Sequence, residues 1–189
     1  MAEAVYRDDF ITELLDGTTV AMSPRPAPYH NMVAERIDFI FRLYLRGKKC
    51  VSLGGGYDVY LTPKDRFVPD FMIVCNPDKI KFDGVHGAPD LVVEVLSPST
   101  AKNDKTYKKD VYAQSGVREY WIVSPGEGLI EQYLLQGGEL VLKAVHTAYA
   151  GWMLEKMTEE ERSAIVKTFK CSLFDDLEIS LDDIFYELL

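Results

Sequence analysis

Apolar residues between positions 33 and 45 recur at intervals of three and four, which places them on one face of a helix. The set is Val33, Ile37, Ile40, Phe41, Tyr44 and Leu45. A proline-rich segment at residues 23–28 precedes this run, and Gly47 follows it as a stop signal. The pattern predicts a first helix that buries one face.

The chain then changes to runs rich in β-branched and aromatic residues, bounded by glycine and proline, which are typical of strands. Such runs lie at residues 50–53, 57–61, 67–75, 90–96 and 119–123. The run at 90–96 is apolar enough for a central strand. Before the last of these runs, a second helix is predicted from about Ser99 to Gln114, because Gly116 provides a C-terminal signal.

Turn and cap signals complete the pattern. Asp16-Gly17 and Gly137-Gly138 favour two-residue turns, so hairpins are predicted within residues 10–23 and 129–145. Ser180, followed by acids, predicts a short final helix. In a chain of 189 residues, this order predicts one domain over residues 1–189. The fold class is α/β of the α+β type, with a central mixed sheet flanked by helices.

Two acidic residues interrupt otherwise apolar strands. Asp70 lies within residues 68–74 and Glu94 within residues 90–96. Moving a carboxylate into an apolar interior is costly unless it is paired, hydrogen-bonded or bound to a cation. Two strands that each carry one interior acid can bring both carboxylates together. We predict that Asp70 and Glu94 form the centre of a functional site.

A shared divalent cation is the simplest reason to bury this pair. Adjacent strands lie about 4.8 Å apart, so one acid from each can contact the same ion. Mg²⁺ favours oxygen ligands, and we expect Mg²⁺, or Mn²⁺ in its place, at Asp70 and Glu94 with the Val95 carbonyl as a further ligand. Such an ion supports in-line displacement at phosphorus. Phosphodiester hydrolysis therefore fits these residues.

A positive side chain is also needed to stabilise the attacking group or the phosphoryl charge. Lys108, on the helix after the Glu94 strand, is our candidate. Asp104 and Lys108 are four residues apart, so they share a helical face and the acid can orient the ammonium. The alternative is an ordinary exposed ion pair, which contributes little.

Composition limits the expected cellular location, cysteine state and type of metal ligand. No apolar stretch approaches the roughly 20 residues of a membrane span, and residues 1–9 lack a secretory pattern, so we expect a cytoplasmic protein. Cys50, Cys75 and Cys171 are widely spaced and odd in number, which favours reduced core thiols over disulfides or a zinc site. The three histidines are equally scattered, so any metal is expected to be held by oxygen.

The net charge of −9 opposes nucleic-acid binding, because affinity for phosphates comes mainly from Lys and Arg. Distribution matters more than the sum. Basic residues gather in two clusters: Arg36, Arg42, Arg46, Lys48 and Lys49, then Lys102, Lys105, Lys108 and Lys109. They form either a basic binding face or simply the solvated faces of two helices.

Secondary candidates lie near the predicted site. His30 and Glu35 begin the first helix, where a capping or packing role for His30 and a surface position for Glu35 are the alternatives. Asp90 shares the Glu94 face but stands roughly 13 Å along the strand, so it is expected to end the strand instead. Tyr120 and Trp121 are expected in the core, with one ring edge available to the cleft.

The motifs around these acids together resemble the Uma-two family of restriction-endonuclease-like proteins, within the PD-(D/E)XK nuclease superfamily. They are Val68 to Asp70, Pro89 to Thr100, Asp104, Lys108, Tyr112 and Gly116 to Val123. The likeness extends to Glu13 to Gly17 and to Leu181 to Phe185, and it is weakest at residues 149–170. An acid of the first helix sometimes joins the metal shell in this superfamily.

The resemblance implies a restriction-endonuclease-like fold and Mg²⁺-dependent hydrolysis of DNA, with Asp70 and Glu94 as metal ligands. One position departs from the superfamily pattern. Lysine is expected two residues after the second acid, where this chain has Leu96. The family pattern places a lysine at Lys108, which is the natural substitute on the next helix.

Two functional hypotheses follow. The first is a metal-dependent endonuclease that uses Asp70, Glu94, Asp104 and Lys108. The second is a nuclease-like domain that has lost turnover and binds nucleic acid or protein, which Leu96 and the acidic charge favour. A homodimer is compatible with either hypothesis, because one small acidic domain offers little surface to DNA.

Overall fold

The computed structural model describes residues 11–22 and 27–188, so the ends of the predicted first hairpin and most of the proline-rich segment lie outside the described residues. The helices are α1 (Pro28–Tyr44), α2 (Ala101–Lys105), α3 (Tyr107–Ser115), α4 (Gly151–Leu154), α5 (Glu159–Ser163) and α6 (Leu181–Phe185), with a 3-10 turn at Pro77–Lys79. None of them is long and apolar enough to cross a membrane.

Fourteen strands are described, many of them short. They are β1 (Thr12–Leu15), β2 (Thr18–Ala21), β3 (Val51–Gly54), β4 (Val59–Thr62), β5 (Asp65–Phe67), β6 (Phe71–Val74), β7 (Ile80–Lys81), β8 (Gly84–His86), β9 (Leu91–Val95), β10 (Glu119–Ser124), β11 (Leu129–Gln136), β12 (Glu139–Thr147), β13 (Thr168–Lys170) and β14 (Glu178–Ser180). The predicted mixed α+β class is confirmed.

The central sheet has the order β12-β11-β10-β9-β6-β3, with β9 and β10 parallel and its other neighbours antiparallel. A second sheet has the order β2-β1-β5-β4-β8-β7. The predicted hairpin turn joins β1 and β2, and both Asp16 and Gly17 have positive φ, as that turn requires. The predicted strand at residues 67–75 divides at Pro69 between the two sheets.

Helix α1 covers one face of the central sheet. Val33, Ile37 and Phe41 are its buried residues, as the spacing predicted. The ring of Phe41 stacks on Phe71 of β6 with centroids 5.3 Å apart and lies 5.8 Å from Trp121 of β10. Each such side chain contributes about 1.5–3 kcal/mol by leaving water.

The opposite face of β9 carries the acids. In the antiparallel pairing of β6 with β9, Phe71 lies opposite Val93 and Met72 opposite Val92. Continued by one residue, this register sets Asp70 opposite Glu94, and opposed residues of antiparallel strands project to the same face. The two interior acids therefore face the same side of the sheet.

The second predicted helix is two helices. The backbone of Thr106 leaves the helical region at φ −126° and ψ −96°, and its hydroxyl donates to the carbonyl of Lys102. A further helix, α5, escaped the sequence pattern because its residues are exposed and polar; it begins at Thr158 with a complete capping box.

The expectation of three reduced cysteines is wrong for two of them. Cys50 and Cys75 form a disulfide, whereas Cys171 is free and buried. Cys50 precedes β3 and Cys75 follows β6, and the register of those paired strands brings the two residues opposite each other. This proximity arises from strand pairing, which a separation of 25 residues in the sequence does not reveal.

Glu119 is a buried acid with a structural role. Its carboxylate accepts hydrogen bonds from Trp121 Nε1 at 2.5 Å and from Gln132 Nε2 at 2.7 Å. It also accepts the backbone N–H of Ser172 at 2.7 Å and the hydroxyl of the same residue. Since Ser172 follows β13, these bonds attach the C-terminal segment to the central sheet.

We expect Glu119→Ala to lower the free energy of unfolding by about 3–5 kcal/mol, because several buried donors lose their acceptor. Denaturant titration measures the change. Glu139→Ala, at an exposed acid of β12, is the matched control and should change stability by no more than about 0.5 kcal/mol. Equal effects of the two substitutions would contradict this role for Glu119.

Candidate active site

A cavity of about 710 Å³ lies at the end of β6 and β9, between the start of α1 and the segment that leads into α2. Its lining includes the four side chains predicted for catalysis: Asp70, Glu94, Asp104 and Lys108. Residues of the central sheet and of three helices meet here, together with residues next to strands of the second sheet. The structure thus brings together the residues that the sequence analysis singled out.

Lys108 is the centre of a buried ionic cluster. Its ammonium lies 2.6 Å from Glu94 Oε1 and 3.1 Å from Asp104 Oδ1. Only 1% of Lys108 is exposed, which excludes the alternative of an exposed surface pair. The predicted contact with Asp104 forms although Thr106 divides the helix, so it depends on the packing of α2 against α3.

Glu13 completes the cluster and was not singled out from the sequence. Its Oε1 lies 3.1 Å from the Lys108 ammonium and accepts the backbone N–H of Val68 at 2.8 Å. Glu13 belongs to β1, 95 positions before Lys108 in the chain. In the sequence, Glu13 was noted only as part of the segment Glu13 to Gly17 that resembles the family, and no function was assigned to it.

The cluster carries more negative than positive charge. Glu13, Glu94 and Asp104 surround one lysine, and Asp70 stands beside them. Burial raises the pKa of Glu94 well above its usual range; Lys108 opposes this rise, and the neighbouring acids add to it. Burial lowers the pKa of the Lys108 ammonium, but the surrounding carboxylates, Glu94 first, reverse this and hold that pKa well above its usual range.

Two tyrosines fix the cluster from the core. The hydroxyl of Tyr112 donates to Glu94 Oε1 at 2.8 Å, and that of Tyr120 donates to the backbone carbonyl of Asp104 at 3.0 Å. Both rings are fully buried, as expected for Tyr120. Asp104 Oδ1 lies 3.1 Å from the Lys108 ammonium, but it accepts no well-aligned hydrogen bond from a described residue.

Asp70 forms a second group with His30 and Val95. Its Oδ2 accepts the backbone N–H of Val95 at 2.7 Å and lies 3.2 Å from His30 Nε2. Burial lowers the pKa of His30, but the hydrogen bond and charge of Asp70 outweigh it and raise that pKa overall. The Val95 N–H therefore orients Asp70, whereas its carbonyl was the predicted ligand.

The secondary candidates from the sequence differ in whether they contact the site. His30 contacts Asp70 inside the cavity, so it is more than a capping or packing residue. Glu35 also lines the cavity but is exposed, as the surface alternative predicted. Asp38, one turn further along α1, was missed; its Oδ1 is buried without a hydrogen-bond partner among the described residues. Asp90 lies outside the cavity and accepts the N–H of Cys75 at 2.8 Å.

Both basic clusters are largely used within the protein. Lys105 pairs with Glu131 at 2.7 Å, and Lys109 lies over the ring of Tyr133. In the first cluster, Arg36 donates to the backbone carbonyls of Ile184 and Tyr186. Arg42 forms an ion pair with Asp38, and Lys48 forms one with Asp176. Arg46, Lys49 and Lys102 are exposed and form no ion pair with a described residue. Most basic side chains of the two clusters are therefore already paired with, or stacked on, other described residues.

The donor groups fit a hard divalent cation. Within residues 11–22 and 27–188, there is no group of three or more His, Cys, Asp or Glu side chains that could hold a metal ion. Mg²⁺ does not need one, since one or two carboxylates and several waters usually hold it. The surplus of carboxylates over lysine leaves a place for positive charge.

Comparisons with known proteins bear on the fold and the family of this chain. A solved structure titled as a putative nuclease belonging to DUF820, from Anabaena variabilis, superimposes with a TM-score of 0.64 and 17% identity, covering 94% of this chain and 91% of that one. That likeness supports the fold. An uncharacterised Synechocystis protein is 29% identical over 123 residues, which is 64% of this chain and 64% of its own length.

A family model supplies the identity. The model named Uma2, with the description "Putative restriction endonuclease", matches residues 3–166, which include every side chain of the ionic cluster. The resemblance noted in the sequence is thereby confirmed over most of the chain. This chain belongs to the Uma2 family, whose description is "Putative restriction endonuclease".

Proposed function

We propose that this protein is a Mg²⁺-dependent endonuclease that hydrolyses phosphodiester bonds in DNA, with Mn²⁺ able to replace Mg²⁺. The observation that supports the proposal most is the pairing of β6 with β9, which sets Asp70 opposite Glu94 at the end of a cavity. Two carboxylates and the Val95 carbonyl would hold the ion. When bound, it would neutralise phosphoryl charge and lower the pKa of the attacking water.

The protein's own residues prepare the reaction. The Val95 N–H fixes one oxygen of Asp70, while Lys108 and Tyr112 both bind Oε1 of Glu94, so the second oxygen of each acid remains for a ligand. Preorganised carboxylates need no rearrangement when substrate arrives. The near-complete burial of Glu94 excludes bulk water and strengthens every charge interaction at the site.

Lys108 replaces the lysine that the superfamily pattern places at Leu96. Leu96 lies on the Glu94 side of the sheet and packs against the apolar cluster that contains Tyr112, so an apolar side chain occupies the position of the pattern lysine. Lys108 approaches the same Glu94 from α3 and keeps its positive charge. Its role is to hold Glu94 in place and to offset charge that develops on the phosphoryl group.

The test is nicking of supercoiled plasmid by purified protein in Mn²⁺. We expect open-circle product from the wild type, none after chelation, and a loss of at least about 100-fold for Glu94→Gln, which preserves the shape of the side chain. Asp90→Asn, immediately before the same strand and outside the cavity, should nick normally. Equal nicking by Glu94→Gln and the wild type would reject the proposal.

A second candidate function is a nuclease-like module without turnover that binds nucleic acid or protein. The commitment of most basic residues to internal contacts and the net charge of −9 favour it. The plasmid assay separates the two, because this candidate gives no metal-dependent product under any condition. Cytoplasmic location and a homodimer stay proposals under either function.

A further inference from the structure

The reactive acids lie below the surface of the protein. Glu94 is 3% exposed and Asp104 and Lys108 are each 1% exposed, at the inner end of the 710 Å³ cavity. The phosphates of a paired duplex stay on the outside of a stiff double helix. A cavity of this volume encloses a ligand of roughly nucleotide size, because sites of about 300–1,000 Å³ take small molecules.

Cations for holding a duplex are scarce around this cavity. Among its described lining residues, Arg42 and Lys108 are the basic side chains apart from His30, and both are already paired with carboxylates. Duplex binding depends on counterion release from about 6–10 phosphate contacts. The described part of the cavity lining does not supply that number.

The mouth instead carries hydroxyl groups and an aromatic ring. The lining includes Ser97, Ser99 and Thr100. The hydroxyl oxygen of Ser97 lies 3.0 Å from that of Ser99 and 3.0 Å from that of Thr100. Hydroxyl groups are common partners of phosphate and sugar oxygens. They can hold a strand without adding charge.

Tyr57 also lines the cavity, and 49% of it is exposed. Three glycines, Gly54 to Gly56, lead to it and also line the cavity. Gly56 has a φ of +92°, which favours glycine, and a Cβ on Gly55 would lie 3.5 Å from the carbonyl oxygen of Asp70. This segment therefore runs against the backbone of Asp70 two residues before the exposed aromatic ring of Tyr57.

We infer that the substrate of this site is single-stranded or locally unpaired nucleic acid, whose scissile nucleotide enters the cavity while a base stacks on Tyr57. The inference rests on the proposed function and deepens it. Stacking on an aromatic ring is available to every base but only after the base leaves the duplex. The hydroxyl groups of Ser97, Ser99 and Thr100 would follow the sugar-phosphate chain.

The first experiment compares one end-labelled oligodeoxynucleotide as a single strand and as a blunt duplex, both in Mn²⁺. We expect the single strand to be cut at least about tenfold faster. Equal or faster cutting of the duplex overturns the inference while leaving the proposed function standing.

The second experiment measures binding without turnover, by fluorescence anisotropy of the same two probes in Ca²⁺. Tighter binding of the single strand without any cleavage in Mn²⁺ supports the inference and rejects the proposed hydrolysis. Binding of neither probe overturns both. The slope of log Kd against log salt should be shallow for the single strand, about 1–2 in magnitude, and a slope of 5 or more contradicts the scarcity of cations.

Substitutions at the mouth test the stacking. Tyr57→Ala should weaken binding of the single strand by about tenfold, whereas Tyr57→Phe retains the ring and should bind like the wild type. Phe82→Ala is the matched control, because Phe82 is a fully exposed aromatic residue outside the cavity. Unchanged binding by Tyr57→Ala would remove Tyr57 from the substrate site.

Discussion

Replacing Lys108 by methionine is expected to abolish cleavage and to lower the free energy of unfolding by about 3–5 kcal/mol. The substitution leaves Glu13, Glu94 and Asp104 buried around an apolar side chain with no opposing charge. Loss of a preorganised charge at the reacting group also slows turnover by about 100- to 1,000-fold. Urea titration and plasmid nicking measure the two effects.

Two further variants show whether charge is the cause. Lys105→Met removes an exposed lysine that pairs with Glu131, and it should cost less than about 1 kcal/mol. The double variant Lys108→Met with Asp104→Asn should be more stable than Lys108→Met alone, because one uncompensated carboxylate is gone. If Lys108→Met keeps normal stability and nicking, the ionic cluster does not have the role assigned to it.

The fold was largely accessible from local patterns. Helix α1, the β1–β2 hairpin and the acid-bearing strand β9 all appear in the spacing of apolar residues, because each depends on which side chains face the core. The break at Thr106 and the division at Pro69 were missed, since both depend on how neighbouring elements pack. The pairing of Cys50 with Cys75 was missed for the same reason.

The sequence predicts those site residues whose only unusual feature is an acidic side chain within an apolar strand. Asp70 and Glu94 were found because an acid inside an apolar strand requires an explanation. Glu119 also lies in an apolar strand, yet it serves structure, so the signal alone does not distinguish catalysis from packing. Glu13 was not placed at the site and His30 was only a secondary candidate, because their partners, Lys108 and Asp70, are distant in the sequence and reach them only through the tertiary fold.

The second large effect concerns the metal. Binding of a divalent cation to the folded state should stabilise the protein by about 2.7 kcal/mol when the free ion is at 100 times its Kd. In a chain of this size, that stabilisation raises the Tm by about 5–10 °C. The Asp70→Asn and Glu94→Gln variants should lose this increase, whereas Asp90→Asn should keep it.

Calorimetric titration with Mn²⁺ tests most directly whether Asp70 and Glu94 share one ion. We predict one strongly bound Mn²⁺ per chain in the wild type and in Asp90→Asn, and none in either Asp70→Asn or Glu94→Gln. A wild type that binds no Mn²⁺, or a variant of either acid that binds it with unchanged affinity, would contradict a cation held between the two strands.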